Sequence, residues 1–206
     1  MITITEVGEL FVAALETYDV ILTEDADGRL ESLKSEDTVT DHLREQFGSH
    51  PDFTILPKGH NRAFGDMDIE IIGRVYPINI KMVAPTTGTY NGGGPKVFNY
   101  VLLGKKSTSG WDRMVEELAQ NPPDKIDSDY YYLVYYKNSQ KKPQFVSLTE
   151  IARESIVANP SNPIQLKQKL TTVRRSEKEK VSFVMMLMKE ILYKKAKPYL
   201  RLEGMI

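Results

Sequence analysis

One lysine, Lys81, interrupts a segment that is otherwise typical of a buried strand, VYPINIKM at residues 75–82. A buried ammonium group is costly unless a negatively charged group lies beside it. The preceding segment, GDMDIEI at residues 65–71, supplies such groups at alternate positions. Its carboxylates belong to Asp66, Asp68 and Glu70. We therefore expect Lys81 to face a cluster of carboxylates.

The two segments are predicted to pair as an antiparallel hairpin around Gly73-Arg74, because a glycine-first dipeptide suits a tight turn of two residues. In this register the opposing pairs are Glu70 with Pro77, Asp68 with Asn79, and Asp66 with Lys81. The period of two along a strand then gives the hairpin two different faces. The polar face holds Asp66, Asp68, Glu70, Pro77, Asn79 and Lys81, and the isoleucine face holds Ile69, Ile71, Ile78 and Ile80.

The polar face of the hairpin predicts a metal site and hydrolysis of a phosphodiester. Clustered carboxylates repel one another and persist where a cation neutralises them. Because the chain has no cysteine and only three histidines, the expected ligands are hard oxygens, which favour Mg²⁺. A lysine beside the ion can orient or help to deprotonate the attacking water. The alternative is an edge hairpin with a solvated charged face, in which Lys81 pairs only with Asp66.

The elements that must position this hairpin are predicted from hydrophobic spacing and turn residues. Besides the hairpin, helices are predicted over residues 4–17, 36–50, 106–121, 147–157 and 176–197, and strands over residues 53–56, 130–137 and 144–148. Strands in the middle of the chain with helices on both sides indicate an α/β (α+β) fold with a central mixed sheet. A length of 206 residues favours one domain, residues 1–206.

Charge is distributed unevenly along a chain whose net charge is −1. Residues 1–60 carry thirteen acidic and four basic residues, whereas residues 165–201 carry eleven basic and three acidic residues. A basic end is a possible electrostatic footprint for nucleic acid, and charge balance with the acidic part is the alternative explanation. No apolar segment is long enough to span a bilayer and no targeting pattern is present, so a cytoplasmic protein is expected.

The hairpin resembles the signature of the PD-(D/E)XK nuclease superfamily, and in particular that of type II restriction endonucleases of about this length. The signature is an acidic residue at the start of one strand, then a hairpin, then an acid-x-lysine triplet preceded by apolar residues. Here GDMDIEI supplies Asp66 or Asp68, and PINIK at residues 77–81 supplies Asn79 and Lys81. The resemblance covers about 20 of 206 residues. It implies a restriction-endonuclease-like fold and Mg²⁺-dependent, site-specific cleavage of double-stranded DNA by a homodimer.

The triplet departs from the family pattern at Asn79, where an acidic residue is usual. An amide carbonyl oxygen can coordinate a metal ion but brings no charge. The missing charge could come from Glu70, or from Glu45 or Asp41 in the second predicted helix. The departure therefore leaves the second position of the metal site open.

Two acids compete for the first position of the signature. Asp68 is preferred as the metal ligand, because the predicted register places it beside Asn79, and Asp66 remains a candidate because its GD dipeptide imitates the PD of the family. Three other interpretations stay open: a non-catalytic DNA-binding module that kept the fold, a repair-type nuclease of the same superfamily, and an unrelated α/β interaction protein.

Two further segments carry groups suited to DNA contacts. TGTYNGGGPK, residues 87–96, is predicted to be a flexible glycine-rich loop whose backbone N–H groups and lysine approach phosphates. NPSNPIQLKQK, residues 159–169, supplies amide and ammonium groups that read adenine and guanine edges, and two arginines that follow it suit phosphate contacts. The alternatives are a surface connection and a capped turn before an ordinary strand. The predicted contacts are Asn91, Gly92, Gly93, Gly94, Lys96, Asn159, Asn162, Gln165, Lys167, Lys169, Arg174 and Arg175.

Overall fold

The computed structural model describes residues 1–18, 28–57, 64–86, 88–106, 110–137 and 139–203, with the backbone alone described at 28–33 and 201–203. The fold is mixed α+β. Its elements are α1 (Ile4–Glu16), α2 (Gly28–Phe47), β1 (Thr54–Ile55), β2 (Met67–Ile71), β3 (Arg74–Val83), β4 (Thr89–Gly93), α3 (Pro95–Leu103), α4 (Trp111–Gln120), β5 (Tyr131–Tyr136), β6 (Gln144–Ser147), β7 (Ile156–Ala158), β8 (Ile164–Lys167) and α5 (Glu177–Glu203). Within the described ranges, no helix is long and apolar enough to cross a membrane.

The chain divides into two compact units. Unit 1 comprises residues 1–87 and 130–147, and unit 2 comprises residues 88–129 and 148–206. Each unit contains one β-sheet. The prediction of a single domain over residues 1–206 stays a prediction.

Unit 1 is built on a five-stranded mixed sheet in the order β1-β2-β3-β5-β6. The pair β3 and β5 is parallel, and the other neighbours are antiparallel. The isoleucine side chains of the hairpin belong to the core of this unit, together with apolar residues of α1 and α2. Ile69, Ile78 and Ile80 are fully buried. The predicted isoleucine face is therefore confirmed as the face that packs into the core.

The turn of the hairpin is Ile72-Gly73, so the prediction of a turn at Gly73-Arg74 is wrong. Both turn residues have positive φ, 50° at Ile72 and 71° at Gly73. A two-residue turn of type I′ requires positive φ at both central positions and favours glycine at the second, which explains why Gly73 takes that position. Ile71 consequently pairs with Arg74.

The new turn changes which residues lie opposite each other. Asp68 lies opposite Pro77 and Glu70 lies opposite Val75, so the predicted pairs of Asp68 with Asn79 and of Glu70 with Pro77 are wrong. The difference amounts to two residues along β3. Because side chains alternate between faces with a period of two, a shift of two leaves every side chain on its predicted face.

Unit 2 contains a three-stranded antiparallel sheet in the order β4-β8-β7, together with α3, α4 and α5. The predicted glycine-rich loop is wrong, because it contains β4 and the start of α3. A Cβ atom on Gly92 would lie 2.8 Å from Cγ2 of Ile164. Gly92 therefore allows β4 to pack closely against β8. The segment has the glycine-rich composition of a flexible loop but is a strand.

Two other predicted elements of unit 2 differ in detail. The helix predicted over residues 147–157 is a pair of 3₁₀ turns, Leu148–Glu150 and Arg153–Ser155, followed by β7. The helix predicted over residues 106–121 begins at Trp111, and residues 107–109 lie outside the described part of the chain. The predicted closing helix is present as α5.

Candidate active site

Asp66 stands immediately before β2 and is bound to β3 on both sides of Asn79. Its backbone N–H donates to the carbonyl oxygen of Ile78 at 2.9 Å, and the backbone N–H of Ile80 donates to its Oδ2 at 2.8 Å. Asp66 therefore lies opposite Asn79. The expectation that Asp68 stands beside Asn79, and that Asp66 stands opposite Lys81, is wrong. Among the described residues, Oδ1 of Asp66 makes no hydrogen bond.

Asn79 is held by a hydrogen-bond chain that ends on the backbone. Its Nδ2 donates to the hydroxyl of Tyr130 at 3.0 Å, and that hydroxyl donates to the carbonyl oxygen of Phe64 at 3.3 Å. The amide oxygen Oδ1 of Asn79 is buried and has no hydrogen-bond partner among the described residues. A buried polar atom left in this way costs about 1–3 kcal/mol. Such an atom calls for an explanation, and a bound ion is one of them.

Lys81 lies on β3, two residues after Asn79, opposite Val134 of the parallel strand β5. Its side chain is half-buried. Within the described part of the chain it makes no hydrogen bond and no ion pair. The ion pair of Lys81 with Asp66 is therefore absent among these residues, and the neutralisation of Lys81 by the carboxylate cluster stays a prediction. The ammonium group remains available on the polar face.

The other predicted metal ligands lie on two elements, β2 and α2. Asp68 and Glu70 are half-buried on the polar face of β2, and Glu45 is exposed on α2. Asp41, also on α2, forms an ion pair with Arg44 at 3.5 Å. No three His, Cys, Asp or Glu side chains of the described residues form a group that could hold a metal. Mg²⁺ binding accordingly stays a prediction.

The two segments predicted to contact DNA meet in the sheet of unit 2. Asn91 on β4 lies opposite Gln165 on β8, and Thr89 lies opposite Lys167. The hydroxyl of Thr89 donates to Oε1 of Gln165 at 3.3 Å. Asn91 and Lys167 are exposed, whereas the intervening Leu166 is fully buried. Thr89, Asn91, Gln165 and Lys167 therefore form one polar face of the sheet. The sequence did not predict that the two segments pair.

Several of the predicted DNA contacts already make local hydrogen bonds. Oδ1 of Asn91 accepts the backbone N–H of Gly93 at 2.9 Å, so that N–H is engaged within β4. Oδ1 of Asn159 accepts the backbone N–H groups of Ser161 at 2.9 Å and Asn162 at 3.3 Å. Asparagine commonly shapes turns in this way, so Asn91 and Asn159 have structural roles.

The remaining predicted contacts lie at the ends of elements. Gly94 is the N-cap of α3 and Lys96 lies in its first turn. The side chains of Asn162 and Lys169, which lie just before and just after β8, are exposed. Their roles in DNA contact stay predictions.

The two arginines before α5 differ sharply. Nη1 of Arg175 donates to the carbonyl oxygens of Thr149 at 2.7 Å and Ile151 at 3.1 Å, and its guanidinium lies 3.8 Å from the centre of the Phe183 ring. Burial lowers the pKa of Arg175 below its ordinary value, and the nearby carboxylates, Glu179 first, act in the opposite direction. Arg174 is exposed. Arg175 is therefore engaged inside unit 2, and phosphate contact by Arg174 and Arg175 stays a prediction.

Tyr130 is the residue of this site that sequence reasoning missed. The run YYYLVYYK alternates as a core strand does, and Tyr130 is indeed 1% exposed just before β5. Nothing in the run shows which tyrosine hydroxyl reaches the hairpin, because that depends on the parallel pairing of β5 with β3.

No known family model matches this chain, and no curated protein matches its sequence.

Proposed function

We propose that this chain is a Mg²⁺-dependent type II endonuclease that hydrolyses phosphodiester bonds of double-stranded DNA at a specific short sequence. The observation that carries the proposal is the placement of Asp66 opposite Asn79, with Lys81 two residues further along the same face. This order of acid, triplet and lysine is that of the PD-(D/E)XK signature. The register supports Asp66 as the first acid, which agrees with its GD dipeptide.

The side-chain oxygens of Asn79 and Asp66 are suitable ligands for a hard divalent cation. Oδ1 of Asn79 is buried without a hydrogen-bond donor, and Oδ1 of Asp66 makes no hydrogen bond among the described residues. Mg²⁺ commonly takes one or two protein oxygens and completes its shell with water and substrate phosphate. Asp66 and Asn79 would hold the ion, with Glu70 or Asp68 as a source of further negative charge. When bound, Mg²⁺ polarises a phosphoryl oxygen and makes bound water more acidic.

Lys81 contributes the positive charge that the protein itself supplies. Its ammonium makes no ion pair with the described residues, so it can bind an attacking water or a phosphate oxygen. A cation placed where negative charge develops stabilises the transition state of hydrolysis. The half-burial of its side chain favours this role, because electrostatic interactions strengthen away from bulk water.

The exposed polar face of unit 2 supplies groups of the kind that read DNA. Amides such as Gln165 pair with adenine edges and lysines such as Lys167 with guanine edges, while Arg174 suits a phosphate. Cutting both strands of a palindromic site requires two active sites related by a two-fold axis, so we propose a homodimer.

The test of catalysis is plasmid digestion with Mg²⁺, followed by mapping of the ends. The wild-type protein should give discrete fragments, and Lys81→Ala should lower the cleavage rate by about 10²–10⁴-fold. Circular dichroism and gel shifts should show unchanged folding and DNA affinity. The matched control is Lys142→Ala, since Lys142 is exposed and pairs with Glu16 outside the hairpin. Full plasmid cutting by Lys81→Ala would contradict the proposal.

A second candidate function is a DNA-binding module without catalysis. It is favoured by the uncharged Asn79 in the triplet and by the lack of a three-carboxylate group among the described residues. A wild-type protein that binds DNA in a salt-dependent manner, but leaves plasmid intact in both Mg²⁺ and Mn²⁺, would support this candidate. A protein without salt-dependent DNA affinity would contradict both functions.

A further inference from the structure

The hydroxyl of Tyr130 lies between Asn79 and the backbone. It accepts a hydrogen bond from Nδ2 of Asn79 at 3.0 Å and donates one to the carbonyl oxygen of Phe64 at 3.3 Å. The Tyr130 ring packs edge-on against the rings of Phe64 and Tyr132, each with centroids 5.3 Å apart. Tyr130 is 1% exposed, so these hydrogen bonds lie in the interior of unit 1.

This hydrogen-bond chain determines the chemistry allowed at position 79. A tyrosine hydroxyl has one proton, and the Phe64 carbonyl receives it. The side chain at position 79 must therefore donate to the hydroxyl oxygen. An ionised carboxylate only accepts, whereas the amide of Asn79 donates through Nδ2 and presents an oxygen on its other end. An amide thus meets a requirement here that the acidic residue of the family triplet would not.

We infer that Tyr130 is a positioning residue that orients the Asn79 carbonyl oxygen toward a divalent cation held with Asp66. The inference rests on the proposed function of the hairpin. The oriented oxygen, Oδ1 of Asn79, is buried with no hydrogen-bond donor among the described residues. Asp66, bound to β3 on both sides of Asn79, contributes the negative charge that makes this place attractive to a cation. Partners that orient a metal ligand in this way commonly change metal affinity by about 10–100-fold when removed.

The direct test is Tyr130→Phe, which removes the hydroxyl and keeps the ring. Thermal unfolding is followed as Mg²⁺ is titrated without DNA, because an ion that binds the folded state raises the midpoint. The Mg²⁺ dissociation constant, obtained from how the midpoint rises with Mg²⁺ concentration, should increase about tenfold. In plasmid cleavage the Mg²⁺ concentration for half-maximal rate should rise similarly, while the rate at saturating Mg²⁺ stays near that of the wild type.

The matched control is Tyr136→Phe, at the last residue of β5, the strand that follows Tyr130. The Tyr136 hydroxyl donates to Oε1 of Gln144 at 2.6 Å, and among the described residues it makes no hydrogen bond to the hairpin triplet. This variant loses a hydroxyl hydrogen bond of comparable quality and should keep the wild-type Mg²⁺ dependence. A Tyr130→Phe protein that also keeps the wild-type Mg²⁺ dependence would overturn the inference.

Asn79→Ala tests the other end of the hydrogen bond and decides the question if Tyr130→Phe does not fold. It should weaken Mg²⁺ binding at least as much as Tyr130→Phe, and an unchanged Mg²⁺ dependence would overturn the inference. In the double variant, Tyr130→Phe should add no further loss, because Tyr130 acts through Asn79. A full additional loss in the double variant also overturns it. A wild-type protein that neither binds Mg²⁺ nor cuts DNA overturns the proposed function as well.

Discussion

The β2-β3 hairpin of unit 1 and the β4-β8 pair of unit 2 each have one apolar and one polar face, but their polar faces differ in burial. On the hairpin of unit 1, Asp66 and Asn79 make hydrogen bonds with β3 and with Tyr130, and the amide oxygen of Asn79 is buried with no donor in the described part of the chain. On the sheet of unit 2, Asn91 and Lys167 are exposed, and the hydrogen bond of Asn91 is local.

The difference shows where a functional explanation is needed. Burying polar groups without partners costs free energy, so the hairpin of unit 1 calls for a ligand or another cause. An exposed polar face on an antiparallel sheet is ordinary and calls for none. The catalytic proposal therefore draws on the geometry of unit 1, while the DNA contacts of unit 2 are proposed from residue types.

Asp66→Asn should give the largest effect and tests the charge of the unit 1 site. The new amide oxygen can still accept the Ile80 N–H, so folding should be preserved while the negative charge is lost. We expect cleavage to fall by about 100-fold or more, as for loss of a principal catalytic group. Asp68→Asn, its matched control, should lose clearly less. Equal losses measured by plasmid cleavage would remove the case for Asp66 as the first acid.

Arg175→Met tests whether unit 2 also holds a buried polar group that matters for stability. The variant leaves the carbonyl oxygens of Thr149 and Ile151 without this donor. We expect the free energy of unfolding, measured in urea, to fall by about 2–4 kcal/mol. Arg174→Met, next to it and exposed, should change it by less than about 0.5 kcal/mol. A stable Arg175→Met protein would show that these bonds contribute little.

Lys167→Ala tests the exposed polar face of unit 2. If Lys167 contacts DNA phosphates or bases, affinity should fall several-fold and the salt slope of binding should drop by about 1. Lys167→Arg, which keeps the charge, should retain the slope. Fluorescence anisotropy with a labelled duplex at several salt concentrations measures both. An Ala variant with the wild-type slope would mean that this face is only a solvated surface.

Ile72→Asn tests the turn that sets the register of the unit 1 hairpin. Ile72 has a φ of 50°, which is unfavourable for a β-branched side chain, and it is 71% exposed. Asn-Gly is a favoured pair for a type I′ turn. The variant should therefore gain about 0.5–1 kcal/mol in the free energy of unfolding. Arg74→Asn, just outside the turn, should give no such gain, and a destabilised Ile72→Asn protein would contradict the register.

Glu6→Gln should have the smallest effect. It tests the N-terminal cap of α1 in unit 1, which has a counterpart at the start of α5 in unit 2. The Thr3 backbone N–H and hydroxyl donate to Oε2 of Glu6 at 2.7 and 2.8 Å, and these bonds lower the pKa of Glu6. Ser176 lowers the pKa of Glu179 in the same way. A lowered folded pKa stabilises above the unfolded pKa of about 4.3, and this contribution is lost as the pH falls through the folded value.

The acid sensitivity of the cap formed by Thr3 and Glu6 can be measured from thermal unfolding midpoints at pH 7 and pH 3. Glu6→Gln should lower the midpoint at pH 7 and differ less from the wild type at pH 3. The control, Glu9→Gln, changes an exposed glutamate of the same helix. An equal difference at both pH values would show that the charge of Glu6 contributes nothing.

The hairpin residues alone predict which of their side chains share a face. Alternation has a period of two, and that period is a property of the extended backbone. The isoleucine face was therefore predicted correctly even though the opposing pairs were not. Helices such as α1 and α5 were likewise predicted from spacing along a single segment, which needs no knowledge of distant residues.

Which groups meet across that face depends on contacts between segments that are distant in the chain. The turn at Ile72-Gly73 set Asp66 opposite Asn79, because positive φ at both positions matches the twist of the strands. The parallel pairing of β5 with β3 brought a tyrosine hydroxyl to an asparagine 51 residues earlier in the chain. The glycine-rich segment that predicts a loop forms β4 instead, because it pairs with β8, which lies far along the chain. Contacts between distant segments depend on the packing of the whole unit, and local patterns do not contain them.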